Sequence, residues 1–127
     1  MSKSIYNDLI NGEATLAVIG LGYVGLPIAL EFAKKTKVIG FDINEERVQL
    51  MKNKVDPSNE LDASAFDGCD IEFTVNIEDL KEVRFFVVAV PTPIDGSNLP
   101  NLKPLLGATS TVAKVLKKGD YVVFEST

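Results

Sequence analysis

Three glycines stand at the spacing that brings a backbone close to a pyrophosphate, in the run Gly20-Leu21-Gly22-Tyr23-Val24-Gly25. In such a run Gly20 permits a tight turn and Gly22, lacking a Cβ, lets a phosphate approach the chain. Gly25 lets the following helix lie close against the preceding strand. The context is the one this chemistry requires: the β-rich stretch ATLAVIG precedes the turn and a helical pattern follows it. A helix beginning there adds free N–H groups and the positive end of its dipole. Asp42 lies 22 positions beyond Gly20, at the end of a second strand-like run. A carboxylate at that place accepts hydrogen bonds from the ribose hydroxyls of an adenosine and repels a 2′-phosphate, which favours NAD over NADP. Taken alone, Asp42 reads equally well as a turn residue or a helix cap, a role Asn44 can share. The glycine motif tips the balance to the ribose.

Other chemistries are excluded by what the chain lacks. Its 127 residues contain no histidine and a single cysteine, Cys69. No internal disulfide, no zinc site of the usual ligand sets and no Ser-His-Asp or Cys-His arrangement can be built from these residues. Redox chemistry here must come from a bound cofactor. The net charge is −5, and no basic run is longer than Lys34-Lys35 or Lys117-Lys118. Nucleic acid is therefore not an expected partner. No apolar run approaches the roughly 18 residues of a membrane span, and the N-terminal stretch has no signal-like apolar segment. The expectation is a cytoplasmic protein with no membrane contact.

The elements that must position these residues alternate between strand and helix. Strands are expected at 14–20, 37–42, 71–74, 84–90 and 121–127. Helices are expected at 23–35, with Val24, Ile28 and Phe32, and Ala29 and Ala33 beside them, on its packed face; at 44–53, capped by Asn44; at 76–82; and at 102–118, stopped by Gly119. Pro27 falls in the first turn of its helix, where its missing N–H costs nothing. RFFVVAV (84–90) is apolar on both faces, as suits a central parallel strand. Short links and right-handed crossovers give an α/β fold: a Rossmann-type, doubly wound parallel sheet of order 3-2-1-4-5 that stops after strand five. The whole chain, 1–127, reads as one dinucleotide-binding domain.

In such a sheet the carboxyl edge collects the ligand-binding groups. Besides 20–25 and Asp42 it gathers Thr92, held between Pro91 and Pro93, and the final Glu125-Ser126-Thr127. Pro-Thr-Pro by itself reads as a rigid turn.

The motifs GLGYVGLPIALEFAK, FDIN, VAVPTPID and VVFEST together resemble the N-terminal domain of the UDP-sugar 6-dehydrogenases, over nearly the whole chain from Leu16 onward. The resemblance leans to the branch that oxidises UDP-N-acetylhexosamines for surface polysaccharides. It implies that Tyr23 and Val24 lie along the pyrophosphate through their backbone, and that Asp42 and Arg47 hold the adenosine ribose. It also implies that Thr92 and Thr127 approach the nicotinamide end, with Glu125 a less specific neighbour. In that family a C6 alcohol is oxidised twice to a carboxylate with two NAD. A cysteine holds the intermediate stage covalently, and it lies in a later substrate domain together with most sugar-binding residues. On that basis the chain carries no catalytic residue of its own, with only Thr127 near the reaction. The intact enzyme is expected to be a homo-oligomer acting on a UDP-sugar. Cys69 sits at the start of the weak third strand, away from the carboxyl edge, and reads as an inert, partly buried thiol. Two other readings share the glycine motif: a hydroxy-acid dehydrogenase, which lacks the PTPID and EST runs, and a non-catalytic dinucleotide-sensing module.

Overall fold

The structure, a computed structural model, describes residues 5–22, 24–90 and 102–125. Its centre is a five-stranded sheet: β1 (Thr15–Ile19), β2 (Val38–Phe41), β3 (Ile71–Thr74), β4 (Val83–Val88) and β5 (Tyr121–Phe124). The spatial order is β3-β2-β1-β4-β5, and every pairing is parallel. This is the expected doubly wound order. The register aligns the carboxyl ends: Ile19 of β1 stands opposite both Phe41 of β2 and Val88 of β4. The turn after β1 and the residues after β2 and β4 thus share one edge.

The helices are α1 (Ile5–Ile10), α2 (Gly25–Ala33), α3 (Glu45–Lys52) and α4 (Lys103–Val115), with single 3-10 turns at Ala63–Phe66 and Ile77–Leu80. Parallel strands buried on both faces need apolar residues on both, and β1 supplies them alternately. Leu16 and Val18 face α2 and α3, where Leu26, Leu30, Val48 and Met51 form one core. Ala17 and Ile19 face α4, where Phe86, Val88, Val112 and Val115 form the other. The short helix α1 is tied to the sheet by Arg84, whose Nη1 donates to buried Asp8 at 3.1 Å.

Besides one- or two-residue shifts at element ends, the structure differs from the sequence expectation in four places. The packed stripe of α2 is Leu26, Ala29, Leu30 and Ala33, while Phe32 is exposed and Val24 and Ile28 sit on the border. Ala29 and Ala33 face the core as expected; the Val24-Ile28-Phe32 row beside them has helical spacing but lies round the helix from the buried stripe, because the small residues let α2 approach the sheet. Helix α4 ends at Val115, with Leu116 extended. Gly119 (φ +90°) therefore turns the chain into β5 and does not stop the helix. The expected helix at 76–82 is only a 3-10 turn. Strand five ends at Phe124, after which the Glu125 N–H still donates to the Val88 carbonyl at 2.8 Å.

Candidate dinucleotide-binding site

The turn between β1 and α2 is built from the inside outwards. Gly20 has φ +98°, a conformation that side chains rarely adopt, and a Cβ on it would meet Val90 Cγ1 at 2.7 Å. Its N–H donates to the Phe41 carbonyl at 2.8 Å, extending the β1–β2 ladder into the turn. Leu21 is fully buried, and its side chain packs onto Gly40 of β2, where a Cβ would meet both Leu21 Cδ atoms at 3.2 Å. The buried leucine anchors the turn while its neighbours stay at the surface. A Cβ on Gly25 would overlap the Gly20 carbonyl oxygen, so this glycine is what lets the first turn of α2 close over the loop.

Gly22 is different. A Cβ there would come no closer than 3.9 Å to any neighbour, and that neighbour is Arg47 Nη2. Among the described residues, no other atom comes within 4 Å of the space above Gly22. This is the cradle a pyrophosphate requires, open between the turn and a guanidinium.

Asp42 fastens the rim. Its Oδ2 accepts from the Leu21 N–H and its Oδ1 from the Asn44 N–H, both at 3.0 Å. Each oxygen has a second lone pair, so the carboxylate keeps acceptor capacity for hydroxyl donors. Asn44 caps α3 through its side chain, which accepts from the Arg47 N–H at 3.1 Å. The cap fixes the turn that carries Arg47, whose Nη2 reaches across to the Leu21 carbonyl at 3.1 Å. Asp42, Asn44 and Arg47 are thus bonded to each other or to the glycine turn.

A cleft of about 580 Å³ runs along this edge, a volume suited to a small molecule of cofactor size. Gly20, Gly22, Val24, Asp42 and Arg47 all line it, so the structure brings these expected residues together. Gly25 lies beneath them, buried in the turn. Glu125 is exposed and continues the β4–β5 ladder; it is not part of the cleft lining. Tyr23, Thr92 and Thr127 fall outside the described residues.

The cleft has a second wall that the sequence reading did not anticipate. On α4, Pro104, Gly107, Ala108 and Thr111 line it, and Ser58 lines it from the loop after α3. The α4 residues repeat at three and four positions and are small, a pattern visible in the sequence as a helix face that leaves room beside it. Ser58 carried no such signal.

Cys69 takes no part. It is half-buried just before β3, with its Sγ 3.4 Å from the Leu30 carbonyl of α2. Burial pushes its thiol above its ordinary pKa against the pull of Lys34, with Glu31 and Asp67 pushing the same way as burial. A thiol held protonated is a poor nucleophile. Among the described residues no group of histidine, cysteine and carboxylate side chains could hold a metal ion, and no helix is long and apolar enough to cross a membrane.

Comparison with known proteins agrees with this geometry. Residues 14–127 match the family model of the UDP-glucose/GDP-mannose dehydrogenase family, NAD binding domain. The chain is 54% identical over 112 residues to protein CapL of Staphylococcus aureus, covering 88% of this chain and 26% of CapL. It is 49% identical over 116 residues to the UDP-N-acetyl-D-glucosamine 6-dehydrogenase of Pseudomonas aeruginosa, covering 91% of this chain and 28% of that enzyme. Among solved structures it superposes on the UDP-N-acetyl-mannosamine dehydrogenase Cap5O from Staphylococcus aureus with a TM-score of 0.79 and 28% identity, over 90% of this chain and 28% of that one. The chain therefore spans little more than a quarter of the length of these relatives. A glycine turn with open space above Gly22, an acid at the end of β2 and a match over residues 14–127 place this chain in the UDP-glucose/GDP-mannose dehydrogenase family, as its NAD-binding domain.

Proposed function

We propose that this chain is the cofactor-holding part of an enzyme that oxidises the C6 hydroxymethyl of a UDP-hexose or UDP-N-acetylhexosamine to a carboxylate, in the making of surface polysaccharide. The observation that carries the reading is the open cradle over Gly22, flanked by Asp42 and Arg47, in a chain that matches nucleotide-sugar dehydrogenases along most of its length. In this reading the pyrophosphate lies on the backbone of Gly20, Gly22, Tyr23, Val24 and Gly25, where the amino end of α2 offers N–H donors. Asp42 accepts from the adenosine ribose hydroxyls, and Arg47 closes over the ribose and phosphate. Thr92 and Thr127 approach the nicotinamide. Held by these residues, NAD would supply the hydride acceptor for C6; this chain's own part is to bind and orient it. Residues 1–127 form one domain, and the covalent chemistry and most sugar recognition belong to the remainder of an enzyme as long as the relatives. That enzyme is cytoplasmic and homo-oligomeric.

The cofactor assignment is tested by calorimetry of this chain with NAD and NADP. Carboxylate–phosphate repulsion at Asp42 should make NAD the tighter ligand by at least about tenfold, and Asp42→Ala should narrow the gap. NADP binding as tightly as NAD would sink the ribose assignment. The substrate reading is tested by supplying UDP-glucose, UDP-N-acetylglucosamine and UDP-N-acetylmannosamine with NAD to the protein joined to the remainder of its enzyme, and following NADH at 340 nm. Oxidation of none of the three would overturn it.

A further inference from the structure

The loop between α3 and the 3-10 turn Ala63–Phe66 is organised by one buried carboxylate. Asp56 is only 5% exposed, yet it belongs to a surface connection. Its Oδ1 accepts from the Ser58 N–H at 2.9 Å and from the Ser58 hydroxyl at 2.8 Å. Its Oδ2 accepts from the Glu60 N–H at 3.0 Å and the Leu61 N–H at 2.9 Å. Four donors on one carboxylate fix the turn more firmly than a connection needs, since an exposed loop can leave such N–H groups to water. What the turn fixes is Ser58, which lines the dinucleotide cleft together with Asp42, Asn44 and Arg47.

The direction of the Ser58–Asp56 bond decides what Ser58 can recognise. A carboxylate only accepts, so the hydroxyl proton is spent on Asp56. The serine oxygen keeps its lone pairs, so towards the cleft that Ser58 lines it can act only as an acceptor, polarised by the bond it donates. An acceptor suits hydroxyl and amine donors and is poorly matched to phosphate oxygens. A dinucleotide carries such donors at both ends, but Ser58 shares the cleft lining with Asp42, Asn44 and Arg47, the residues assigned to the adenosine ribose, which points to the donors of the adenosine end.

We propose that Ser58, locked by Asp56, is a second acceptor for the adenosine moiety of the dinucleotide. Ser58 is then a binding residue and Asp56 a positioning residue that acts through it. The proposal rests on the cofactor placement given under Proposed function.

The test is calorimetry of this chain with NAD and with ADP, which carries the adenosine end alone. Ser58→Ala leaves Asp56 its three backbone donors, so its melting temperature should match wild type within a few degrees. Its affinity should fall about three- to tenfold for both ligands alike, the loss expected for one hydrogen bond. Ser58→Thr, which keeps the hydroxyl, should restore binding to within about twofold. Asp56→Ala should lose at least as much affinity as Ser58→Ala and also melt earlier. The outcomes separate the two levels of the argument. A wild-type chain that binds neither ligand overturns the cofactor placement and this proposal with it. Binding that is weakened by Asp42→Ala but unchanged in Ser58→Ala overturns the proposal alone. Equal losses in Ser58→Ala and Ser58→Thr, a large drop in the melting temperature of Ser58→Ala, or a loss for NAD without one for ADP would each overturn it too.

Discussion

A β-carbon at Gly25 would collide with the Gly20 carbonyl, whereas one at Gly22 would enter open space beside Arg47. Two glycines three positions apart are thus required for opposite reasons. Gly25→Ala should cost at least about 2 kcal/mol of stability, because backbone must move to admit the methyl group. Gly22→Val should change stability by less than about 1 kcal/mol but remove NAD binding, since its methyl groups occupy the pyrophosphate's place. Urea titration paired with a binding titration distinguishes the two; a Gly22→Val chain that still binds NAD would show that the phosphates sit elsewhere. Asp56 supplies a pH signature at the same scale. Burial alone would raise its pKa, but the bonds from Ser58, Leu61 and Glu60 outweigh that and hold it below its ordinary value of 3.8. A depressed carboxylate stabilises the fold fully above its unfolded pKa and loses that contribution as pH falls through the folded one. The stability gap between wild type and Asp56→Asn, whose amide NH2 would face N–H donors, should therefore be constant above about pH 5 and shrink below about pH 4. A gap that widened on acidification would contradict the bond pattern.

Helix α3 shows how an element depends on one residue and how far the sequence reveals it. Only Val48 and Met51 of its eight residues are buried, so packing holds it weakly and its ends matter. Glu45 and Glu46 in its first turn and Lys52 in its last complement the dipole, and Asn44 closes the first turn. Asn44→Ala should cost about 1 kcal/mol. It should also weaken NAD binding several-fold, because Arg47 rides on the turn that the cap secures. Thermal melts and calorimetry together check this, and unchanged affinity with lowered stability would separate Arg47 from the cap. The cap was legible because Asn44 directly precedes a polar helical run, and the glycine turn because its spacing follows a strand. The packed face of α2 was legible only in part: Ala29 and Ala33 lie on it as read, but the row that meets the sheet runs through Leu26 and Leu30, and Phe32 is left exposed. The stop of α4 was misread. Gly119 has the left-handed backbone a helix terminator uses, but Leu116 is already extended three residues earlier. Ser58 was invisible because its place depends on a buried acid in a loop, which no periodicity announces.

At the scale of the whole molecule, the sheet is covered unevenly. Both faces of β1 and β2 are closed by helices or loops, and α4 covers one face of β4 and β5 through Val112, Val115 and the partly buried Val122. On the other face no described element covers β5. Tyr121 stacks on Phe85 with ring centroids 6.0 Å apart but is 47% exposed, and Val123 on the same face is 39% exposed; Phe124, which alternates onto the α4 side with Val122, is also 55% exposed. β5 pairs only with β4 among the described strands, so its outer side presents unpaired N–H and C=O groups next to apolar side chains. No charged residue interrupts Tyr121–Phe124 to discourage pairing. Such an edge is a template for another strand. This 127-residue chain should therefore associate in a concentration-dependent way, through β5. Light scattering over a dilution series should show mass rising with concentration from a monomer at the lowest values. Val123→Lys, which places a charge on the face that no described element covers without touching the α4 core or the cleft, should hold the chain monomeric across the same range and leave NAD affinity within about twofold of wild type. Association that persists unchanged in Val123→Lys would move the contact away from β5, to the exposed Leu102, Leu106 and Leu116 along α4 and its flanks.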